Sequence, residues 1–408
     1  MHRHTIQTWL PLFAGCIGIA LLLIEWMHVI TPLHARGSDF SATYVAAHVW
    51  TRFGSSRLYD EVLEHAVHKA FLPPTARFTL PFLTPPLTAF ITIPLSRLSL
   101  PVAYMAFSIC QLILTIAGIF MGTRAYSGSR RNAIALGLIL GTSIPTLLLV
   151  LLGQWDGLIA CSIGCALLLW RKKMPFLAGC ILAIGIAFAK PQLGLGIAIV
   201  LLASRQWRCA AGAAVGGLML ATATIAIAGV HASMGFFSTW DLAVHSPSPQ
   251  TTVGILGLAA SWIHTEGTLV AVTLVLDIAC CAGLVGVGIA YNHGRLSLPS
   301  FLLIGVTGSL LLAPHVLVYD LVILLPVLAG WLVIHGPQHA GKTALSASPW
   351  LPWATAWMLF NILALLDAGN SAPAPPGRLL PIALILGCIG IWAVSTFPTN
   401  DSLQSPAD

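Results

Sequence analysis

The chain has 408 residues, of which 57% are hydrophobic and only 8% are charged. A typical soluble domain is about 25% charged, so this composition excludes both a soluble globular fold and a disordered chain. The net charge of +6 is spread thinly beside apolar runs, which favours cytoplasmic anchoring of membrane helices over binding of nucleic acid.

The apolar runs predict an all-α bundle of about twelve transmembrane helices, because a span needs about 20 apolar residues. In chain order the runs are 9–30, 101–123, 132–152, 156–170, 175–189, 192–204, 208–230, 267–291, 297–313, 316–335, 350–367 and 378–397. The first run follows a basic start without a small-residue cleavage site, so we expect an uncleaved anchor. Residues 1–397 would form one transmembrane domain, and the polar tail 398–408 would be disordered and cytoplasmic.

Charge placement decides the topology around the proline-rich segment 81–98, which is apolar enough to cross the membrane. If this segment does not cross, the basic clusters at 124–131 and 171–173 face the cytoplasm; if it crosses, both face out. The positive-inside bias therefore favours a segment that lies along the outer interface. Both termini are then cytoplasmic, and the outer face carries one long loop at 31–100 and a second at 230–266.

Both outer loops show the periodicity of amphipathic helices that lie on a membrane. In the first loop, apolar side chains recur at helical spacing after Asp39, and between 58 and 67 they alternate with charged ones such as Glu64. In the second loop the apolar side chains are Phe236, Phe237, Trp240 and Leu242.

Polar side chains gather at four turns that this topology places on the outer face. Ionisable groups at membrane depth are costly and usually mark a site or a pathway, although interfacial caps on short turns would give the same pattern. The polar residues at these turns are Asp39 with the nearby Arg36, Gln154 and Asp156, Lys190, and His315 with Tyr319 and Asp320.

Lys190 and Asp39 are the most informative of these residues. Lys190 lies between two apolar runs, where a lipid phosphate is the obvious partner and snorkelling to the headgroups is the alternative. Asp39 follows the first span and could act as a general base on a hydroxyl, kept ionised by Arg36. Its alternative role is the N-terminal cap of a helix that begins near Ser41.

Neither a disulfide framework nor a cofactor is expected from the sequence. All nine cysteines fall in apolar runs, and Cys161 and Cys165 fit small apolar packing on one helix face better than metal binding. No acidic cluster suits a metal, and no phosphate-binding loop, zinc-protease or serine-hydrolase motif occurs.

In their order, the motifs of this chain resemble those of glycosyltransferase family 87, the polyprenyl-phosphate-mannose-dependent mannosyltransferase-like proteins of the C-type membrane glycosyltransferase superfamily. The resemblance covers roughly residues 5–335. The chain departs from the family pattern at Thr84, where tyrosine is frequent, and at Asp156, where asparagine is frequent. The stretches that match are Gly37–Ala47, Gly54–Asp60, Thr84–Leu87 with Pro94-Leu95, Gly153-Gln154, Ala178-Gly179 through Lys190-Pro191, and Pro314-His315 with Tyr319-Asp320.

The resemblance implies a C-type fold and a hexosyltransferase, with mannose as the expected sugar. Its donor would be a polyprenyl-phosphate sugar, its acceptor a lipid or a glycan, and its other partners the membrane lipids. Asp39 would be the general base of an inverting displacement, and Lys190 would contact the donor phosphate with His315 or Arg36 as helpers. The site would face the periplasmic side of the inner membrane. The candidate substrate-binding residues are Tyr44, Gln154, Asp156, Tyr319 and Asp320.

A transporter or flippase for lipid-linked sugars is the competing class, because it too would carry charge within the membrane on broken helices. Against this class, the charged residues lie toward one face and the two halves of the chain do not match. A scaffolding membrane protein without catalysis is the third alternative.

The topology predicts different labelling of two introduced cysteines. With the basic clusters inside, Ser129→Cys should stay unlabelled by a membrane-impermeant thiol reagent in intact cells, whereas Ser56→Cys should react. Labelling after detergent lysis controls for the reactivity of each thiol. The reverse pattern in intact cells would contradict the topology.

Overall fold

The computed structural model describes residues 2–29, 32–71, 80–239, 252–335, 357–364 and 379–396. Within these ranges the protein consists of α-helices and short 3₁₀ turns, with no strand. A helix satisfies its backbone polar groups internally, as a membrane interior demands. The expectations for Trp240, for Leu242 and for the tail 398–408 concern residues outside the described ranges.

The helices follow the apolar runs of the sequence closely. In the described residues, 3₁₀ turns occur between the α-helices at Ser55–Arg57, Leu95–Arg97, Pro191–Gly194 and Val318–Leu324. The α-helices are α1 His2–Val29, α2 Pro32–Gly37, α3 Phe40–Phe53, α4 Glu61–Lys69, α5 Pro86–Thr92, α6 Leu100–Arg124, α7 Arg130–Gly141, α8 Ile144–Leu152, α9 Asp156–Arg171, α10 Pro175–Ala189, α11 Leu195–Ala203, α12 Trp207–Ser238, α13 Ile255–Ala260, α14 Glu266–Asn292, α15 Leu298–Leu312, α16 Leu325–His335 and α17 Leu379–Thr396.

The predicted helical membrane protein is confirmed in kind, but not the predicted number of about twelve spans. In the described part of the chain, four helical segments are long and apolar enough to cross a membrane: α6, α12, α14 and Val318–His335. A fifth span results if α7 and α8, which are bent by 68° relative to each other, are counted as one. Shorter apolar helices occupy other predicted spans, at Gly15–His28, Pro175–Ala189, Pro191–Ala203, Leu298–Leu312 and Leu380–Trp392.

The proline-rich segment 81–98 contains only α5 and the 3₁₀ turn Leu95–Arg97. Pro86 opens α5, where its missing N–H has no helical partner to lose. The seven residues of α5 are about 10 Å long, whereas the hydrocarbon layer is about 30 Å thick. The segment therefore does not span a membrane as one helix.

The segment predicted as the first outer loop is largely helical, as its periodicity predicts, but α3 is not a surface helix. Its residues from Phe40 to Ala47 are all buried, because several are small and let α4 and α5 pack closely around it. The face of α3 that was expected to contact the membrane therefore packs against the protein instead. In the second loop, the expected amphipathic helix is the end of α12, which continues beyond a break at Gly229 with φ 83°.

Glycines allow the central helix α6 to approach its neighbours closely. A Cβ atom at Gly118 would lie 2.5 Å from the carbonyl oxygen of Ala160 in α9. One at Gly164 of α9 would meet the backbone of Gly118, and one at Gly122 would meet Pro326 in α16. Small residues at crossings are the usual means by which membrane helices pack.

This packing predicts that Gly164→Ala destabilises the protein, by about 1–3 kcal/mol, because the added methyl group forces α6 and α9 apart. Gly283→Ala is the matched control, since a Cβ atom at Gly283 of α14 meets no atom within 4 Å. The control should be neutral or slightly stabilising through helix propensity. Thermal unfolding in detergent measures both, and equal melting temperatures would contradict the close crossing.

Candidate active site

A buried ion cluster joins three of the four polar turns. Nζ of Lys190 lies 2.8 Å from Oδ2 of Asp156 and 2.5 Å from Oδ1 of Asp320. All three residues are buried, with Lys190 only 8% exposed. The residues are 34 and 130 positions apart in sequence, so the cluster fixes the relative positions of distant helices.

Local sequence explains why each member points into the cluster. Pro191 disfavours helical backbone at the preceding residue, so α10 ends and Lys190 adopts φ −145° and ψ 80°. Asp156 is the first residue of α9, where the helix dipole favours a negative charge. Oδ2 of Asp320 accepts a hydrogen bond from the backbone N–H of Leu317 at 2.6 Å, which fixes the turn that follows α15.

Asp39 adjoins this cluster and does not cap a helix. It directly precedes α3, yet its side chain makes no capping hydrogen bond. Oδ2 of Asp39 instead accepts a hydrogen bond from Nε2 of Gln154. Burial raises the pKa of Asp39 above the ordinary value of a carboxyl group, whereas Gln154 and the charge of Lys190 act in the opposite direction.

Tyr319 and His315 complete the group that the structure brings together. Nζ of Lys190 lies 4.6 Å from the centroid of the Tyr319 ring, a cation–π distance. Burial and the nearby Lys190 charge lower the pKa of His315 to about 4. Both influences favour the uncharged imidazole, which can still form hydrogen bonds.

Two predicted site residues lie apart from the cluster. The hydroxyl group of Tyr44 donates to the carbonyl of Leu98 at 2.8 Å, which ties α3 to the segment before α6. Arg36, at the end of α2, is partly buried and takes part in none of the ion pairs among the described residues. Gln154 and Lys190, rather than Arg36, are the groups that favour the ionised form of Asp39.

Sequence reasoning missed the groups that hold the turn between α8 and α9. Gly153 ends α8 in the left-handed conformation with φ 68°, a common end for helices. The hydroxyl group of Tyr104 donates to the carbonyls of Val150 and Leu151, at 3.0 and 2.7 Å. These bonds satisfy carbonyl groups that the end of a helix leaves unpaired. Because the acceptors are backbone atoms, no sequence motif predicts these hydrogen bonds.

Further contacts hold this turn from α1, α2 and α6. Nε1 of Trp26 donates to the Tyr104 hydroxyl oxygen at 3.2 Å, and Nε2 of His34 lies 2.7 Å from the carbonyl oxygen of Leu151. At the start of α9, Oε1 of Gln111 accepts from the backbone N–H of Leu158 at 3.1 Å. The turn that carries Gln154 is thus fixed from several helices.

Glu64 of α4 is a buried carboxyl group outside the ion cluster. The pattern groups it with exposed charges, but it is 6% exposed and Oε2 accepts from the backbone N–H of Phe82 at 3.0 Å. Burial raises its pKa to about 8. Glu64 therefore ties α4 to the segment before α5.

The cluster itself does not offer a metal site. Among the described residues, no group of three or more His, Cys, Asp or Glu side chains is arranged to hold a metal ion. The position between Asp156 and Asp320, where a cation would sit, is occupied by the Lys190 ammonium group.

Comparison with known proteins gives one match. The model of glycosyltransferase family 87 matches residues 82–314, more than half of the chain. This range contains Gln154, Asp156 and Lys190, ends one residue before His315, and leaves Asp39 outside. No curated protein and no solved structure matches the chain.

The ion cluster predicts a large effect of Lys190→Met on stability. Removing the ammonium leaves two buried carboxylates uncompensated, which costs about 3–5 kcal/mol. Adding Asp156→Asn and Asp320→Asn should restore much of this loss, because the buried group is then neutral. Unfolding in detergent measures the series, with Lys69→Met at an exposed lysine as the control. Wild-type stability of Lys190→Met would show that the cluster does not hold the turns together.

Proposed function

Because the chain belongs to glycosyltransferase family 87, we propose that it moves a hexose from a polyprenyl-phosphate donor to a hydroxyl group of a lipid or glycan acceptor. The family makes it a membrane glycosyltransferase. Mannose is the first sugar to test, and the reaction is assigned to the outer face of the inner membrane, with both termini in the cytoplasm.

The observation that carries the proposal is the environment of Asp39. One carboxylate oxygen accepts from Gln154, and the other accepts no hydrogen bond from the described residues. A sugar hydroxyl is a weak nucleophile at neutral pH and needs a base within hydrogen-bond reach. Burial raises the pKa of Asp39, which makes its ionised form a stronger base than an exposed aspartate.

The proposed reaction is a single inverting displacement. The acceptor hydroxyl donates a hydrogen bond to the unpaired oxygen of Asp39, and its own oxygen attacks the anomeric carbon of the donor. The proton passes to Asp39 as the bond between that carbon and the phosphate oxygen breaks. The polyprenyl monophosphate leaves with the electron pair, so its negative charge needs nearby cations.

The contacts of Lys190 limit how it can help the leaving phosphate. A phosphate would have to compete with Asp156 and Asp320 for the ammonium group. Arg36 is in none of the ion pairs of the described chain, so a contact between Arg36 and the phosphate would need no such exchange. We therefore assign the direct contact to Arg36, and to Lys190 a stabilising charge from within the cluster.

The test of this proposal is Asp39→Asn in purified protein supplied with radiolabelled polyprenyl-phosphate hexoses and a membrane lipid extract as the source of acceptor. The asparagine preserves shape but cannot take the proton, so the rate should fall about 10²–10⁴-fold. Binding of the donor should survive, because the phosphate contacts lie elsewhere.

Asp60→Asn is the matched control in the same loop. Asp60 caps α4 by accepting from the backbone N–H of Leu63 at 3.0 Å, and asparagine caps about as well as aspartate, so activity should persist. Full turnover by folded Asp39→Asn would end the assignment of the base. If wild-type protein forms no product from any donor, the transferase proposal fails and transport of the same donors across proteoliposomes becomes the next measurement.

A further inference from the structure

The contact between Gln154 and Asp39 suggests a role that deepens, and rests on, the proposed function. We propose that Gln154 is a positioning residue, which holds one oxygen of the Asp39 carboxylate and thereby presents the other to the acceptor hydroxyl. Gln154 was expected to bind substrate directly, and the structure points it at the base instead.

The chemistry of the two side chains determines which of them donates the hydrogen bond and which accepts it. An ionised carboxylate can only accept hydrogen bonds, so the amide NH₂ group of Gln154 must face it. The bond therefore stabilises the ionised form of Asp39, which is the form that can take a proton. Gln154 is itself only 8% exposed, so water competes little for the amide group.

Backbone packing next to this contact keeps the two side chains in register. A Cβ atom at Gly153 would lie 2.6 Å from Cβ of Phe40, so the backbone before Gln154 packs on the residue after Asp39. Phe40 is fully buried, and its ring stacks on Phe107 with centroids 4.7 Å apart. Neither turn can shift without disturbing this packing, so the amide group meets the carboxylate at a fixed place.

Without the amide group, the Asp39 carboxylate would have more freedom to rotate, because the terminal torsion of an aspartate has a broad energy minimum. A smaller fraction of bound acceptors would then have their hydroxyl group within hydrogen-bond distance of the free Asp39 oxygen. Since small misplacements of reacting groups can lower rates about 10²-fold, we expect Gln154→Met to lower kcat by about 10- to 100-fold. The KM for the donor should stay within about twofold, because its phosphate is bound elsewhere.

The pH profile separates positioning from a purely structural role. The hydrogen bond from Gln154 lowers the pKa of Asp39, so its loss raises that pKa. Activity needs ionised Asp39, so the acid limb of kcat/KM should move to higher pH in Gln154→Met. The other groups that interact electrostatically with Asp39 are Lys190, Asp156 and Tyr319, and the substitution leaves them in place.

Gln111→Met is the matched control, because Gln111 is an equally buried glutamine that holds the same turn from α6. It should lower stability and leave the acid limb where it is in the wild type. An unchanged limb in Gln154→Met, or an equal shift in both variants, would overturn the positioning role.

A second measurement works even if the wild type proves inactive as a transferase. Infrared titration can follow the carboxyl band that Asp39→Asn removes, in wild type and in Gln154→Met. The band should titrate at higher pH in Gln154→Met. Equal titration would overturn the inference whatever the activity, whereas a shifted band without any product would leave the contact standing and refute the proposed function alone.

Discussion

The ammonium group of Lys190, buried between Asp156 and Asp320, is the interaction on which the arrangement of the site depends. Removing an ion from water costs several kcal/mol, and only a close partner of opposite sign offsets it. Here one cation serves two carboxylates, so each turn needs the others to stay in place. The cluster thereby links the start of α9, the end of α10 and the 3₁₀ turn Val318–Leu324.

The balance of charge in this cluster determines what it can bind. Asp39 adds a third carboxyl group that interacts electrostatically with Lys190 and Asp156. In the proposed reaction, such surroundings would suit an uncharged hydroxyl group better than an anionic headgroup at the acceptor position.

Much of the fold could be predicted because apolar length and proline placement are local signals. The ends of α6 and α10 fall within a residue of the predicted spans, and Pro191 marks the end of α10. The bend between α7 and α8 was missed, although Ser143 caps α8 by accepting from the N–H of Thr146, a pattern that the sequence shows. Mean hydropathy alone predicts one continuous span here, because the short polar sequence between α7 and α8 hardly changes the average over the long apolar run.

The positions of the site residues were predictable, but their partners were not. Charged residues at turns are few in this chain, and those at four of the turns, Asp39, Asp156, Lys190 and Asp320, lie together in the structure. The sequence around a lysine between two apolar runs, however, is the same whether an aspartate or a phosphate neutralises its charge. Only the fold decides between them, because it brings Asp320 to Lys190 from 130 residues away.

Asp39 and the contacts that orient it come from two different parts of the chain. Asp39 precedes the range matched by the family, whereas Gln154 and Lys190 lie within it. A carboxylate in a loop is a useful base only if its direction is fixed, and α3 does not fix it, since Asp39 makes no capping bond. The orientation comes from the turn after α8, which three other helices hold. In the proposed reaction, the first loop contributes the Asp39 carboxylate, and the turn at Gly153 and Gln154 orients it through the hydrogen bond from Gln154.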